Sequence, residues 1–449
     1  MVEIKIDLLI TAGYLLNPGY DLQLDAAVAI KDQRIVDVGD SQALMARYGS
    51  ETVLSRPRAL LMPGLVDAHT HACQQLLRPC TVDELPMVWS RILVPFEACL
   101  GPEDVYISAM AACVEMIKAG ITCFADAGGP HMGQVAKAVV QTGLRGVLAR
   151  STMDTGDFLP EQMRETTKAA VDQSKEFFQD FNGEGNGRVR VWFGLRELMT
   201  CSTELIRLVH QAASEYDTGI HLHLAEYRNE VDYCLVRYGR RPVEWLASQG
   251  ILSNRLLAAH SVLLTDAEVV KLAQSGAGVA HCPRSNLSNH GFPKVNLFRT
   301  LGTAVGIGTD GGSAGPLDLF NAMRYLKYAT QAYSGLPISE PAVLPARELM
   351  DMVTIGAARA LRMESEIGSV AIDKKADLIL IDLEQAHIGS IEEVNRLVVS
   401  CVQPGDVRDV VVDGRVVMED RIIKTCDERE ILLAARDLQR VLLRRAGLK

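Results

Sequence analysis

The chain has 449 residues, of which 48% are hydrophobic, and it carries a formal net charge of -10 at pH 7. This length suits about three domains, or one barrel of about 250 residues with a smaller partner domain. The acidic balance argues against nucleic acid or an anionic membrane as the main partner, because both favour a basic surface, and it leaves a small-molecule substrate.

The first ten residues lack the apolar core of a signal peptide, and no apolar run reaches the length of a membrane span. We therefore expect a soluble, cytoplasmic protein. Ten cysteines are scattered without a CxxC pair, which is typical of reduced thiols rather than of a zinc ribbon or a disulfide framework.

Residues 2 to about 58 alternate short apolar runs with turn formers such as Asn17-Pro18-Gly19, and this pattern predicts a β-rich module. From residue 60 to 364, strand-like runs alternate with helical segments, as in parallel sheets with crossover helices. Predicted helices cover residues 102–120, 203–216, 266–274 and 317–333. Eight predicted strands cover residues 65–71, 121–126, 145–150, 189–196, 220–225, 256–260, 278–281 and 305–310. Eight such units predict a TIM-like (β/α)8 barrel, whose active site lies at the C-terminal ends of the strands.

After Met363 the strand-like texture of the N-terminus returns. Asp413-Gly414 is typical of a hairpin turn, and the predicted strands cover residues 368–370, 376–381, 407–412 and 415–418. We expect residues 1–59 and 365–426 to form one discontinuous β-sandwich domain beside the barrel of residues 60–364. Residues 427–449 have apolar side chains at helical spacing and predict a docking helix.

The chemistry begins with His69-Thr70-His71 in the first barrel strand, where alternate side chains share a face. Alone, this pair is weak evidence for a metal, since structural histidines are common. However, five of the ten histidines fall at the ends of strands one, five and six, namely His69, His71, His221, His223 and His260. Three imidazole nitrogens and one carboxylate oxygen suit Zn²⁺ or another transition ion with a position left for water. The candidate metal ligands are His69, His71, His223 and Asp310.

Several of these residues also have a structural explanation. Asp310 in Thr309-Asp310-Gly311 would also cap a turn, and Glu226 would also suit a solvated helix start. His221 lies two residues deeper than His223, which favours support of a ligand or core packing. For His281 the same two roles are open. Four histidines have no supporting context and are not assigned, namely His131, His210, His290 and His387.

Five motifs together carry a family resemblance. They are Pro63-Gly64-Leu65-Val66-Asp67-Ala68-His69-Thr70-His71, His223-Leu224-Ala225-Glu226, Ala259-His260, His281-Cys282-Pro283-Arg284-Ser285-Asn286-Leu287 and Gly308-Thr309-Asp310-Gly311. With them the chain resembles the amidohydrolase superfamily over nearly its whole length. The most similar branch holds methylthioadenosine/S-adenosylhomocysteine deaminases, guanine deaminases and s-triazine hydrolases.

The resemblance implies one divalent metal ion on the four candidate ligands, Zn²⁺ with Fe²⁺ as the alternative, and Glu226, His260 and Asp310 as catalytic residues. A bound metal lowers the pKa of its water toward about 7 and so provides hydroxide for attack. Asp310 would accept the proton of the water, His260 would orient the hydroxide or polarise the attacked centre, and Glu226 would protonate a ring nitrogen. Predicted strand four, residues 189–196, has no lysine to bridge a second metal, so one ion is expected.

Trp89, Arg196 and His260 are the candidate substrate-binding residues. Nucleoside deaminases of this branch often carry a glutamate before the tryptophan, thought to hold ribose hydroxyls. Here Val88 has no acceptor for them, which disfavours a nucleoside. Arg196 stands where the branch often has a histidine, and its planar fork suits an oxo group or an anionic substituent. An ion pair with a local carboxylate is the alternative explanation for this arginine.

The predicted function is therefore a metal-dependent hydrolytic deaminase. Its substrate would be a small nitrogen-rich heterocycle, such as an aminopurine, pterin or pyrimidine, or an amidine, and ammonia would be released. The alternatives are an s-triazine-type hydrolase that releases chloride or an alkylamine, a methylthioadenosine/S-adenosylhomocysteine-type nucleoside deaminase, and a non-catalytic scaffold. We also expect a homo-oligomer, either a dimer or a tetramer.

Overall fold

A computed structural model describes residues 4–84, 87–156, 159–340 and 342–448 of the chain. Within these residues the strands form two sheets of eight strands each. The strands are β1 Ile4–Leu16, β2 Leu22–Lys31, β3 Arg34–Asp40, β4 Tyr48–Pro63, β5 Leu65–Thr70, β6 Ile121–Asp126, β7 Arg145–Arg150, β8 Val189–Leu195, β9 Ile220–Leu224, β10 Leu256–His260, β11 Gly278–His281, β12 Val305–Ile307, β13 Leu378–Asp382, β14 Val407–Val412, β15 Arg415–Glu419 and β16 Ile422–Ile423.

Helices connect the strands and cover the outside of the barrel. They are α1 Ser41–Arg47, α2 Val94–Ala98, α3 Pro102–Lys118, α4 Met132–Thr142, α5 Thr167–Phe181, α6 Glu184–Gly187, α7 Thr203–Glu215, α8 Arg228–Tyr238, α9 Pro242–Ser248, α10 Asp266–Gln274, α11 Pro283–Ser285, α12 Val295–Thr300, α13 Gly311–Ala314, α14 Leu319–Thr330, α15 Ala346–Met352, α16 Ile355–Ala360, α17 Val394–Ser400 and α18 Glu428–Arg445. Short π-helical segments cover Trp89–Leu93, Asn286–His290 and Gln331–Gly335. Side-chain caps define several helix starts; at α10, Thr265 and Glu268 cap each other's backbone N–H groups.

Strands β5 to β12 are parallel and hydrogen bonded in chain order, which confirms the predicted (β/α)8 barrel. The first and last strands also meet, because the Asp310 N–H donates to the His69 carbonyl oxygen at 2.9 Å. Gly308 allows this approach, since a Cβ at that position would lie 2.7 Å from the same oxygen. The barrel therefore closes through His69 and Asp310, which are two of the candidate metal ligands.

The second sheet combines strands from both chain ends in the order β16-β15-β14-β13-β4-β1-β2-β3. The two ends join where β13 pairs antiparallel with β4, with Ile379 opposite Met62. This arrangement confirms a discontinuous β domain built from the N- and C-terminal segments. The precise limits of residues 1–59 with 365–426, 60–364 and 427–449 stay a prediction.

A buried ion pair connects the two sheets. Arg145, at the start of β7, donates to both carboxylate oxygens of Asp377 at 2.8 and 3.0 Å and to Asp413 at 3.1 Å. All three residues are buried. Helix α18 lies against α3, where the side chains of Lys118 and Glu428 are 2.9 Å apart.

The structure differs from the prediction in two places outside the barrel. Residues 368–370 form a bend instead of a strand, because Gly368 adopts a φ of +86° and packs against Ile355. Strand β4 was not singled out within the predicted β-rich module of residues 2 to about 58, since charged residues interrupt its apolar pattern. The ten cysteines are unpaired. Among the described residues, none of the helices combines the length and apolar character that a membrane crossing requires.

Candidate metal centre and active site

The four predicted metal ligands meet at the C-terminal end of the barrel. His69 and His71 leave β5 on one face, His223 leaves β9, and Asp310 follows β12. The His69 Nε2 atom lies 3.1 Å from Asp310 Oδ1, and His71 Nε2 lies 3.2 Å from His223 Nε2 and 3.9 Å from Asp310 Oδ1. Ligand atoms about 2.1 Å from one tetrahedral ion are separated by about 3.4 Å. The measured separations are close to that value.

The hydrogen bonds of the three imidazoles direct their free lone pairs toward one point. The Nδ1–H of His71 donates to the Gly128 carbonyl at 3.0 Å, and the Nδ1–H of His223 donates to the Arg196 carbonyl at 2.8 Å. His69 Nδ1 is 2.8 Å from His221 Nε2, so His221 contacts a predicted ligand, which is one of the two roles raised for it. The carbonyl acceptors leave Nε2 without a proton on His71 and His223, and a metal on His69 Nε2 requires that the His69 Nδ1–H donates to His221. Two such lone pairs facing each other at 3.2 Å repel unless a cation lies between them, so the residues fit a metal.

The electrostatics of the ligands agree with this fit. Burial lowers the pKa values of His71 and His223 well below the usual range, which keeps both rings neutral. Burial alone would raise the pKa of Asp310, but the nearby His260 and His69 outweigh it and hold this carboxyl well below its usual range. Neutral imidazoles and an ionised carboxylate are the forms that bind a metal.

Three residues at the strand ends adopt a left-handed backbone. They are Ala225 with φ +50°, His260 with φ +66° and Asp310 with φ +64°. This conformation is uncommon outside glycine and is found preferentially at functional sites. Each of these turns brings a predicted catalytic side chain, that of Glu226, His260 or Asp310, over the mouth of the barrel.

Glu226 lies between two imidazoles. Its Oε2 atom is 3.5 Å from His260 Nε2, and its Oε1 atom is 2.9 Å from His290 Nε2. Burial opposes ionisation, but His260 and His290 outweigh it and lower the pKa of Glu226. The sequence analysis left His290 unassigned. The only hint was its position, a few residues after His281-Cys282-Pro283, in a π-helical segment whose path the sequence does not reveal.

Asn286 orients His260. Its side-chain oxygen accepts from His260 Nδ1–H at 2.9 Å, and its amide nitrogen donates to His281 Nδ1 at 2.7 Å. The Nε2 lone pair of His260 therefore faces the metal centre and Glu226. His281, for which two roles were open, supports His260 through this asparagine.

Arg196 forms a buried ion pair, the alternative explanation raised for it. Its guanidinium donates to both carboxylate oxygens of Glu97, at 2.9 and 3.1 Å, and it lies over the Trp89 ring at 5.8 Å. Gln74 also donates to Glu97, at 2.6 Å. A substrate contact of Arg196 or Trp89 stays a prediction, although both residues line the recess above the metal centre.

This recess is the candidate substrate site. Val88, 5% exposed, forms part of its wall, while Leu85 and Pro86, which precede it in the chain, lie outside the described residues. The other wall residues include Thr81, Leu93, Glu197, Tyr227, Ser285, Asn289, His290, Ser313 and Ala314.

A comparison with protein-family models decides the family. The model of the amidohydrolase family matches residues 60–417, which is most of the chain. The chain belongs to the amidohydrolase family. The predicted resemblance is thereby confirmed, and with it the hydrolase class of this amidohydrolase.

Two curated relatives share one functional name. A 5-methylthioadenosine/S-adenosylhomocysteine deaminase of Moorella thermoacetica is 36% identical over 408 residues, covering 90% of this amidohydrolase and 92% of the relative. A protein of the same name from Syntrophomonas wolfei is 36% identical over 419 residues, with 92% and 94% covered. These relatives place the amidohydrolase in the branch that the motifs indicated.

Solved structures agree with the fold. An adenosine deaminase from Xanthomonas campestris with bound zinc has a TM-score of 0.91 at 29% identity and covers 98% of this chain and 99% of its own. An atrazine chlorohydrolase from Arthrobacter aurescens complexed with zinc has a TM-score of 0.87 at 24% identity, with 96% and 100% covered, and supports the fold alone.

Proposed function

We propose that this amidohydrolase is a metal-dependent hydrolytic deaminase that releases ammonia from an amino-substituted carbon of a small nitrogen-rich heterocycle. One observation carries the proposal. The Nε2 atoms of three histidines, two of them held unprotonated by backbone carbonyls, and an ionised carboxylate converge beside Glu226, which is itself flanked by two imidazoles. The deaminase names of the relatives support the same reaction class.

One divalent ion would be held by His69, His71, His223 and Asp310, and we propose Zn²⁺, with Fe²⁺ as the alternative. The zinc in two structural neighbours supports this choice. When bound, such an ion supplies a water activated for attack near neutral pH. The chain itself fixes the tautomers of the ligands through Gly128 and the Arg196 carbonyl.

The surrounding residues move the protons. Because Glu226 is ionised at rest, it takes the first proton of the attacking water and passes it to the ring nitrogen next to the reacting carbon. His260 Nε2 accepts a hydrogen bond that orients this water. The water oxygen adds to the carbon, and Asp310 accepts the second proton, from the new hydroxyl group, and passes it to the amino group. The C–N bond then breaks and ammonia leaves, so one water is consumed for each ammonia and the ring nitrogen keeps its proton.

A nucleoside substrate is the second candidate. The names of the relatives favour an adenosine-type nucleoside. Val88 argues against it, because a buried valine in the recess wall offers no hydrogen bond to ribose hydroxyls. The oligomeric state and a cytoplasmic location stay predictions.

Ammonia release by the zinc-loaded protein tests the proposal. The panel would contain aminopurines, their ribosides, pterins, cytosine, guanidino compounds and s-triazines that carry amino, alkylamino or chloro substituents. We expect ammonia from at least one free heterocycle, and we expect chelation to abolish it. Ammonia from ribosides alone would favour the second candidate, and chloride or alkylamine release alone would favour a triazine-type hydrolase. A protein that yields no product from any compound would contradict the deaminase.

A further inference from the structure

Most polar groups in the wall of the substrate recess are already paired within the protein. Glu97 holds Arg196 and also accepts from Gln74. The Gln74 oxygen in turn accepts from the Ser313 hydroxyl at 2.6 Å. His290 is paired with Glu226. A substrate would therefore have to break existing bonds to use these groups, so recognition falls to those that are still open.

Glu197 is such a group. It follows Arg196, two residues after β8 ends at Leu195. Its side chain is buried, with 4% of the residue exposed, and it forms part of the recess wall. Within the described part of the chain, its buried Oε1 atom has no hydrogen-bond partner. A buried polar atom without a partner costs about 1–3 kcal/mol and calls for an explanation. A ligand that donates a hydrogen bond to this carboxyl group would explain why the group is left unpaired.

The position of Glu197 also indicates which part of a substrate it faces. Glu197 and Glu226 each stand two residues beyond the end of a strand, and these strands, β8 and β9, are neighbours in the barrel. Both residues form part of the recess wall, so Glu197 lies on the same side of the recess as Glu226, the residue that protonates the ring nitrogen. Burial, together with the nearby Glu230 and Glu226, raises the pKa of Glu197 well above its usual range. In either protonation state a carboxyl group keeps an oxygen lone pair, so Glu197 can accept a hydrogen bond at any working pH.

We propose that Glu197 accepts a hydrogen bond from a second donor on the substrate ring, namely an exocyclic amine or ring N–H next to the nitrogen that Glu226 protonates. This inference rests on the proposed function and narrows its substrate class. It separates two closely matched compounds, because adenine carries only a C–H group at that place whereas 2,6-diaminopurine carries an amine. A site built to pair with a donor discriminates against the analogue that lacks it.

The test compares kcat/KM of the zinc-loaded protein for 2,6-diaminopurine and adenine, and for the two corresponding ribosides. We expect the compound with the additional amine to be preferred by about tenfold or more, the ratio given by one hydrogen bond to a buried carboxyl group. Glu197→Ala should bring the ratio close to one by slowing the diamino compound. Glu197→Gln keeps a side-chain carbonyl as acceptor and should retain part of the preference.

Glu230→Gln is the matched control, because Glu230 is buried beside Glu197 but is not part of the recess wall. It should leave the ratio unchanged. Calorimetric binding of the same pairs reports the preference independently of turnover. Equal kcat/KM values of the parent chain for both compounds would overturn the role of Glu197. An equal fall in kcat/KM for both compounds in Glu197→Ala would also overturn it. A binding preference without ammonia from any compound would overturn the proposed function alone.

Discussion

Glu226 is the residue on which the proposed chemistry depends most. Its carboxylate is buried between His260 and His290 and does not contact the metal ligands within hydrogen-bond distance. Glu226→Gln preserves the shape and the hydrogen bonding but removes the proton that the residue would carry. We expect this variant to bind one metal per chain while kcat falls by about 100-fold or more. Metal analysis and ammonia release measure the two effects, and turnover at the parent rate would show that the proton donor is another group.

His290 gives a prediction with a defined sign in pH. Burial disfavours charge on His290, but the Glu226 carboxylate outweighs it and raises the pKa of His290. The charged ring in turn helps to lower the pKa of Glu226. Activity that needs ionised Glu226 is present above the pKa of Glu226 and is lost as pH falls through it. His290→Ala removes the cation, so the pKa of Glu226 rises and the loss should begin at higher pH.

The pH profile of kcat/KM measures this shift in the acid limb. His290→Gln is the informative companion, because its amide can still donate to Glu226 but carries no charge. It should shift the acid limb like His290→Ala while losing less activity at high pH. An unmoved acid limb in both variants would contradict the coupling between the two side chains.

At the residue scale, groups that repeat along a strand can be placed from the sequence, whereas groups that depend on loops cannot. The spacing of His69 and His71 and the strand ends at His223 and Asp310 predict that these four side chains lie close together, and they do. His290 was missed because it reaches Glu226 only through a π-helical loop. The partner of Arg196 was left open for a similar reason, since Glu97 precedes it by 99 residues and lies on helix α2.

At the scale of elements, the barrel strands were predictable because they are buried on both sides and read as short apolar runs between helices. β6, β7, β10 and β11 have the predicted limits, whereas β12 ends at Ile307, before the predicted residue 310. The shortening has a local cause, because Asp310 leaves the extended conformation with φ +64°. Strand β4 is harder to read, since its first half is solvent exposed and carries charged residues.

The ion pair between Arg145 and Asp377 predicts how firmly the barrel and the composite sheet depend on each other. Asp377→Ala leaves the buried guanidinium with Asp413 alone. Loss of one partner of a buried pair costs about 3–5 kcal/mol. We expect urea unfolding to show a loss of this size. The exposed pair of Lys168 and Asp172 on α5 is the control, and Asp172→Ala should change stability by no more than about 0.5 kcal/mol.

For the whole molecule, the proposed metal ion would connect distant strands, because its proposed ligands come from the ends of the first, fifth and last barrel strands. Ligand binding to the folded state alone stabilises it by RT ln(1 + [L]/Kd), about 4 kcal/mol when the free ion exceeds Kd 1,000-fold. The repulsion between the His71 and His223 lone pairs adds to the cost of the metal-free state. We therefore expect chelation to lower Tm by several degrees and added Zn²⁺ to restore it.

Variants of the ligands separate this linkage from a general effect of the chelator. Asp310→Ala and His69→Ala should lose both the bound metal and turnover, and their Tm should respond neither to chelator nor to added Zn²⁺. His210→Ala, on the outer helix α7, should respond like the parent chain. If Asp310→Ala kept a metal-dependent Tm, the ion would be bound elsewhere. If chelation abolished turnover of the parent chain without lowering its Tm, the ion would serve catalysis without stabilising the fold.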